Sequence, residues 1–311
     1  MHSMESVGFY YVNILLKTIL VYFYNMVKVI ELKTTQSPAI RTLTDTLNSL
    51  LTDINITFYP NDKRSTNGSE ASEEDSEVNK VSQNGGIVIK EVNKTVTVLV
   101  YCKLDGFEEY SYNYHKKKLM IGVKLPNLLK CLKCMTHFDT MSWIIEKEDM
   151  NKLIVILESN ERHEKKIFKL NLMDLDDDRY EIEPVEFPYS ITMPSTDFHK
   201  YCKDMTSVMA NKMEIQCTSN MLFLTGKSDI GSVDFQLGEC IGGLQIDVNT
   251  DKNEIVQGLF ELKYLTIFTK CTGLCNEVKL YLRNDYALIV KYQVAALGEI
   301  KLVLSPSEPD N

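Results

Sequence analysis

Lysine side chains recur at the edges of two similar segments, and an ammonium group at a helix edge is suited to binding an anion. The segments cover residues 123–134 and 260–271, and both end in Lys-Cys. In each, apolar residues stand at the first, third and sixth positions, the spacing of one face of an amphipathic helix. We therefore predict two helices that pack by an apolar stripe and leave lysines beside it.

The cysteines are candidates for metal binding and for nucleophilic catalysis. Cys131 and Cys134 have the gap of a zinc-ligand pair, and Cys271 and Cys275 form a second, wider pair. The first pair lies on an apolar-periodic helix, however, and the histidines that would activate a thiol are scattered along the chain. A Gly-rich phosphate loop is absent from the sequence. We expect no metal, no cofactor and no catalytic residue, and therefore a protein that is not an enzyme.

The segments upstream of the two helices are duplicated as well. Val29–Lys33 and Tyr189–Met193 alternate like strands, and Ser with Pro marks a helix start after each; Ser37 is the expected N-cap of the first helix. Further alternating segments cover residues 96–101, 153–157, 167–172, 278–282, 288–292 and 300–304. The duplication predicts an α+β fold of two similar domains, each with two helices packed on antiparallel sheet.

Charge is unevenly distributed along the chain. A net charge of −9 over 311 residues argues against a protein that binds nucleic acid over its whole surface. A solvated helix edge is the ordinary interpretation of any single lysine. The predicted helices nevertheless all carry cations, which favours an anion-binding surface. These cations are Arg41, Lys130, Lys133, Lys200, Lys203, Lys263 and Lys270.

Four stretches resemble sliding clamps of the proliferating cell nuclear antigen family, as found in eukaryotes and viruses. They are Lys169–Asp176, Met193–Phe198, Leu262–Lys270 and Val290–Pro306. The run Leu-Met-Asp-Leu-Asp at 172–176 is the most diagnostic, because in this family it opens the connector between the two domains. The resemblance implies a first domain at 27–172, a connector at 173–188 and a second domain at 189–311.

The resemblance implies a DNA-clamp fold, in which protomers assemble head to tail into a closed ring around double-stranded DNA. Helices line such a ring and sheets form its outside. The helix lysines would then contact the DNA backbone without reading bases. The implied function is that of a processivity factor, loaded by a clamp loader, that tethers DNA polymerase and other replication and repair proteins. It would work in the nucleus or, for a virus, in a cytoplasmic replication factory.

Client proteins of this family insert a short motif, a Gln followed by an aliphatic residue and two aromatics, into an apolar pocket beneath the connector. By this resemblance, the pocket positions are Tyr180, Ile182, Phe187, Ala287, Val303, Ser305 and Pro306. Tyr180 replaces a smaller aliphatic residue that is usual in the family, which predicts a shallower pocket and a narrower choice of clients.

Ring closure in this family pairs an edge strand of the first domain with one of the second domain of a neighbour. The corresponding strands here are 165–169 and 232–236, with Lys166, Phe168, Val233 and Phe235 as interface residues. Exposed strand edges promote aggregation, and in a closed ring both edge strands are paired. We expect a homotrimer. A monomeric processivity factor with this fold, or one subunit of a heteromeric clamp, stays open as an alternative.

Two segments depart from the family. Residues 1–26 contain most of an apolar, aromatic run that is long enough for a membrane helix. Three interpretations stay open: Met26 is the natural initiator, the segment is a peripheral appendage, or it is a membrane anchor. The second segment, an acidic and polar insertion at about 61–86, has almost no apolar residues and is predicted to be a disordered loop.

Overall fold

The chain folds as two structural repeats that share one order of helices and strands. The computed structural model describes residues 27–61, 85–135, 140–176, 185–249 and 254–308. Repeat 1 contains strands β1 to β9 with helices α1 and α2, and repeat 2 contains strands β10 to β18 with helices α3 and α4. The mixture of helices and antiparallel sheets confirms the predicted α+β class.

The bounds of the elements follow the sequence predictions closely. Repeat 1 consists of β1 (Lys28–Thr34), α1 (Ser37–Leu50), β2 (Asp53–Tyr59), β3 (Gly86–Val92), β4 (Val98–Leu104), β5 (Glu109–Tyr112), β6 (Leu119–Lys124), α2 (Leu125–Leu132), β7 (Thr140–Glu146), β8 (Asp149–Ser159) and β9 (Glu164–Asn171). Repeat 2 consists of β10 (Tyr189–Pro194), α3 (Ser195–Ser207), β11 (Lys212–Cys217), β12 (Met221–Ser228), β13 (Gly231–Gly238), β14 (Gln245–Val248), β15 (Val256–Glu261), α4 (Leu262–Phe268), β16 (Glu277–Leu282), β17 (Leu288–Val294) and β18 (Gly298–Leu304). A 3-10 helix (Thr269–Leu274) continues α4.

The two repeats contain three antiparallel sheets, one of which includes strands from both repeats. The five-stranded sheet has the order β5-β1-β7-β8-β9, and the four-stranded sheet has the order β13-β12-β11-β15. The nine-stranded sheet has the order β14-β10-β16-β17-β18-β4-β3-β2-β6. Its first five strands repeat the pattern of the five-stranded sheet, and its last four repeat that of the four-stranded sheet. The two patterns are therefore joined where β18 pairs with β4.

This pairing leaves two strands with one free edge each. Strand β9 corresponds to β18, and strand β13 corresponds to β4. Within the described part of the chain, β9 pairs only with β8 and β13 pairs only with β12. The molecule thus contains one completed β18–β4 junction and the two separate halves of an equivalent junction.

The helices pack against each other as one layer. Helix α1 contacts α2, α4 and the 3-10 helix, and α3 contacts α4 and the 3-10 helix, so the order across the layer is α2, α1, α4, α3. Buried residues of both repeats form one continuous hydrophobic cluster beneath it, which includes Leu47, Leu128, Phe198 and Phe268. Burial of this apolar surface is the main force that holds the two repeats together.

Two details of the predicted helix starts are corrected. Val123 and Phe260 open the duplicated segments but are still strand residues, because β6 and β15 end just before α2 and α4 begin. In α1, Gln36 is the N-cap and Ser37 is already helical. The hydroxyl of Thr34 accepts a hydrogen bond from the backbone N–H of Gln36 at 3.0 Å, which ends the strand before the helix.

The strand predicted from Val96 begins two residues later. The side-chain Oδ1 of Asn93 accepts hydrogen bonds from the backbone N–H groups of Thr97 and Val98, at 2.9 and 3.0 Å. These bonds close a tight turn in which Val96 adopts a φ of +54°. Val96 is therefore an exposed turn residue, and β4 starts at Val98.

Among the described residues, no helix is both long and apolar enough to cross a bilayer. The apolar segment 1–26 and the greater part of the acidic insertion, 62–84, lie outside those residues. Their predicted roles therefore stay predictions.

Candidate functional site

The predicted basic residues all lie on the helix layer or directly after one of its helices. They are exposed because the buried positions of each helix are spaced by three and four residues and the cations fall between them. In α3, for example, Phe198, Cys202 and Met205 are buried, whereas Lys200 and Lys203 are exposed. The exposed cations are Arg41, Lys130, Lys133, Lys200, Lys203, Lys263 and Lys270. The layer therefore presents a positively charged surface on a protein that is acidic overall.

Two of these cations have acidic partners. The Nζ of Lys270 lies 3.0 Å from Oδ2 of Asp45 and 2.8 Å from Oγ of Ser49, both on α1. The Nζ of Lys263 lies 3.2 Å from Oε2 of Glu261 and 4.9 Å from the centre of the Tyr264 ring. Among the described residues, the other five cations have no ion pair; they are Arg41, Lys130, Lys133, Lys200 and Lys203. Their charges are the least neutralised of the layer.

A second candidate surface lies on the outer face of the nine-stranded sheet, opposite the helices. Val303 faces Ile289 on one side and Leu99 on the other, and all three side chains point away from the buried core. The backbone N–H of Ser305 donates to the carbonyl of Thr97 at 3.0 Å. Of the predicted pocket residues, Ala287, Val303 and Ser305 thus share one half-buried face, and the exposed Pro306 follows directly.

The other end of the connector packs beside this face. The ring of Phe187 lies 5.7 Å from the ring of Tyr281 and 5.8 Å from that of Tyr286. Phe187 therefore packs on repeat 2. Its predicted role in the client pocket stays a prediction. The remaining predicted pocket positions, Tyr180 and Ile182, lie outside the described residues.

The sequence prediction missed the part of this face that comes from repeat 1. Leu99 and Thr97 join it because β4 pairs with β18 and Thr97 accepts a hydrogen bond from Ser305. More than 190 residues separate Leu99 from Val303, and no local pattern indicates that two strands so far apart are neighbours. The only usable signal was the apolar character of Leu99 on the outward side of an alternating strand.

The predicted subunit-interface residues lie on the two free strand edges. Phe168 on β9 and Val233 and Phe235 on β13 are half-buried and pack against the hydrophobic core. The Nζ of Lys166 donates to the carbonyl of Cys134, just after α2, at 3.0 Å. The ring of Phe235 lies 4.9 Å from that of Tyr201 on α3. Each free edge therefore lies beside one end of the helix layer.

Family comparisons agree with this architecture along most of the chain. The family model described as "Proliferating cell nuclear antigen, N-terminal domain" matches residues 74–180, and that for the C-terminal domain matches residues 181–307. Proliferating cell nuclear antigen 2 of Drosophila melanogaster is 30% identical over 229 residues, which are 72% of this chain and 87% of the relative. The chain belongs to the proliferating cell nuclear antigen family. This confirms the resemblance that the sequence stretches indicate.

Viral relatives and a solved structure of the family are also similar. A probable DNA polymerase sliding clamp of Acanthamoeba polyphaga mimivirus is 28% identical over 91% of this chain, although the match spans only 63% of that relative. A probable DNA polymerase sliding clamp of Paramecium bursaria Chlorella virus 1 is 27% identical over 89% of this chain and 96% of the relative. The crystal structure of proliferating cellular nuclear antigen from Entamoeba histolytica superposes with a TM-score of 0.74 at 23% identity. That match covers 91% of this chain and all of the other, and it supports the fold.

Five of the eight cysteines are buried in the fold, and Cys131 and Cys271 are among them. Burial raises the pKa of the Cys271 thiol to about 12, outweighing the hydrogen bond to Thr46, and burial also raises the pKa of Cys131. A thiol with a raised pKa is a poor nucleophile and a poor metal ligand at neutral pH. Among the described residues there is also no group of three His, Cys, Asp or Glu side chains that could hold a metal ion.

Proposed function

We propose that this protein is a DNA sliding clamp, a processivity factor that encircles duplex DNA and tethers DNA polymerase. The observation that carries the proposal is the family membership combined with the layer of exposed cations. The viral relatives named as DNA polymerase sliding clamps support the same function. No catalytic step is required of such a protein, because tethering needs only binding.

The internal β18–β4 junction supports a specific geometry for ring closure. In the chain, Leu302 of β18 lies opposite Val100 of β4. When the strand pairings of the two repeats are matched, Phe168 occupies the position of Leu302 and Val233 occupies that of Val100. We therefore propose that β9 of one protomer pairs antiparallel with β13 of the next, with Phe168 opposite Val233.

The same register brings other pairs of side chains together. Lys166 would lie opposite Phe235, so that its aliphatic stem covers the ring. Ile167, whose side chain is exposed in the single chain, would lie opposite Asp234. Two unpaired rows of backbone donors and acceptors would satisfy each other, which removes the tendency of free edges to aggregate. Head-to-tail contacts of this kind generate a ring when the rotation closes, and we propose a homotrimer.

Ring closure in this register also extends the helix layer. The end of α2 lies beside β9, and α3 lies beside β13. Pairing of the two strands would therefore bring α2 of one protomer next to α3 of its neighbour. The order α2, α1, α4, α3 would then repeat around the ring and present the cations to a single central channel.

The charges on this layer suit DNA that must move through the ring. Lysine contacts with phosphates hold the duplex without recognising its sequence, so the protein can slide. The acidic balance of the chain, −9 overall, disfavours DNA binding on the rest of the surface. We further propose that a clamp loader places the ring on DNA. Client proteins would dock on the outer face around Val303, in the nucleus or in a viral replication factory.

DNA binding to the helix layer can be tested with matched lysine pairs. Lys200→Ala with Lys203→Ala removes two exposed cations from α3, whereas Lys116→Ala with Lys117→Ala removes two exposed cations from the β5–β6 turn. Affinity for a labelled duplex would be measured by fluorescence anisotropy at increasing NaCl. We expect only the α3 pair to weaken binding, and its salt slope to fall by about 0.9 for each lost phosphate contact. Equal effects of the two pairs would contradict the assignment.

A further inference from the structure

We infer that Gly122 is a positioning residue for the connector. Because glycine has no side chain, residues 173–176 can pass close above Gly122 as they cross the outer face of repeat 1. We call this contact the seat. This inference rests on the proposed client docking at the connector. It concerns the start of the connector, which the structure describes up to Asp176.

The connector touches Gly122 through its backbone and through a side chain. The backbone N–H of Met173 donates to the carbonyl of Gly122 at 2.9 Å, and the two residues form an isolated antiparallel bridge. A Cβ atom on Gly122 would overlap the carbonyl oxygen of Met173 and lie 2.9 Å from Cγ of Leu175. Real Cβ atoms do not come this close to other atoms, so any larger residue must displace the connector. The φ of Gly122 lies outside the left-handed region, so the backbone conformation itself is open to alanine.

A second contact continues the seat across the neighbouring strand. Asn55 of β2 lies opposite Gly122 of β6. Its Nδ2 donates to the carbonyl of Asp176 at 3.0 Å. The connector is therefore held at two points, first over Gly122 and then over Asn55, and its height above the sheet is set by the first.

Repeat 2 provides an internal comparison for this seat. The pair that corresponds to Asn55 and Gly122 is Glu214 and Leu259, which also face each other. The tail after β18 makes the same first contact, since the N–H of Ser307 donates to the carbonyl of Leu259 at 2.7 Å. Leu259, however, has a side chain where Gly122 has none. The seat is thus specific to the repeat from which the connector starts.

The consequence for function follows from chain continuity. Tyr180 and Ile182, the predicted client-contacting residues, come only a few positions after Asp176. A connector raised at Gly122 would shift the described start of the segment that carries both residues. We therefore expect Gly122 to control client affinity without contacting DNA or a neighbouring protomer.

The test compares Gly122→Ala with Gly273→Ala, since a Cβ on Gly273 would meet no atom within 4 Å. Hydrogen exchange at the Met173 amide reports on the seat, and calorimetry with a synthetic peptide carrying the client motif reports on docking. We expect Gly122→Ala to exchange roughly tenfold faster at Met173 and to bind the peptide roughly tenfold more weakly. Gly273→Ala should match the wild type in both measurements.

The outcomes separate this inference from the proposed function. Unchanged exchange at Met173 in Gly122→Ala would overturn the role of Gly122. Faster exchange with unchanged peptide affinity would uphold the seat and contradict client docking at the connector. If Gly122→Ala does not fold, Asn55→Ala removes the second contact without adding bulk. Peptide binding by Asn55→Ala as strong as that of the wild type would then show that the attachment of residues 173–176 to repeat 1 does not control docking, which would overturn the inference.

Discussion

Strand β18 of repeat 2 has a partner inside the chain, whereas its counterpart in repeat 1, β9, ends the five-stranded sheet with a free edge. The same holds for β4, which is paired, and β13, which is free. The two repeats have the same folding pattern, so the register in which β18 pairs with β4 predicts the register in which β9 would pair with β13. The chain completes one junction by itself, and in the proposed ring a second copy would complete the other.

The outer faces of the two junctions differ in chemistry. At the internal junction Val303, Ile289 and Leu99 form an apolar face. The matched positions near the free edges are Lys169, Ile154 and Ser232, of which Lys169 and Ser232 are exposed. An apolar outer face of three side chains therefore occurs at the internal junction but not near the free edges. This difference supports the proposal that clients dock only at the internal junction of each protomer.

The largest effect should come from a charge on the free edge. We expect Phe168→Asp to convert the trimer into monomers, because the carboxylate would be buried against Val233 of a neighbour without a partner. Sedimentation velocity would measure the change. Val248→Asp is the matched control, since Val248 is an exposed apolar residue on β14, which is also an edge strand but has no role in ring closure. A trimeric Phe168→Asp variant would contradict the interface.

A smaller loss is expected from a charge on the apolar outer face. Val303→Asp should weaken binding of a client-motif peptide by about 2 kcal/mol or more, which is typical of an anchor position. Titration calorimetry would measure the affinity, and sedimentation would verify that the ring is intact. Ile241→Asp provides the control because Ile241 is fully exposed on a distant loop. Equal affinity of Val303→Asp and the wild type would place client binding elsewhere.

The smallest effect concerns pH and the ion pairs on β18. Burial raises the pKa of Glu299, but the hydrogen bond from Lys291 and the charge of Lys301 outweigh burial, so the pKa lies below its usual value. A lowered folded-state pKa means that Glu299 contributes stability above its usual pKa and that this contribution is lost as the pH falls through the folded value. Lowering the pH from about 6 to about 4 should therefore destabilise the wild type more than Glu299→Gln, by no more than about 1 kcal/mol. Urea unfolding at both pH values would measure this, and an equal loss in both proteins would contradict it.

Local sequence patterns were sufficient for most of the elements and for the basic surface. Strand alternation identified β8, β9, β16, β17 and β18, and the helical spacing of Phe198, Cys202 and Met205 placed Lys200 and Lys203 outside. These features depend on neighbours within a few residues. Alternation also predicted that residues 165–169 and 232–236 are strands. Their position at sheet edges was implied by the family resemblance, and the structure places both at sheet edges.

Features that depend on contacts between the repeats were not predictable in this way. The pairing of Lys270 with Asp45 joins residues 225 positions apart, and nothing local to Lys270 distinguishes it from Lys203. The contribution of Leu99 to the outer face depends on the β18–β4 pairing. In the sequence, nothing distinguishes Gly122 from another strand glycine, because its contact with the connector is apparent only in the structure. In each case the decisive partner is distant in sequence.

The central claim is that β9 and β13 of neighbouring protomers pair in the register of β18 and β4, and a cysteine cross-link tests it most directly. Phe168→Cys with Val233→Cys would be combined with Cys134→Ser and Cys240→Ser, which remove the exposed native cysteines among the described residues. Directly opposed residues in an antiparallel pair have Cα atoms about 4.5–5.5 Å apart, within the range of a disulfide. The offset pair Phe168→Cys with Phe235→Cys, about 7–8 Å apart, is the control.

After mild oxidation, denaturing electrophoresis should resolve a ladder of linked chains that ends at three copies of the 35.7 kDa chain. The offset pair should link far less efficiently. Absence of cross-links in Phe168→Cys with Val233→Cys, or equal cross-linking of the offset pair, would contradict the proposed register and the ring built from it.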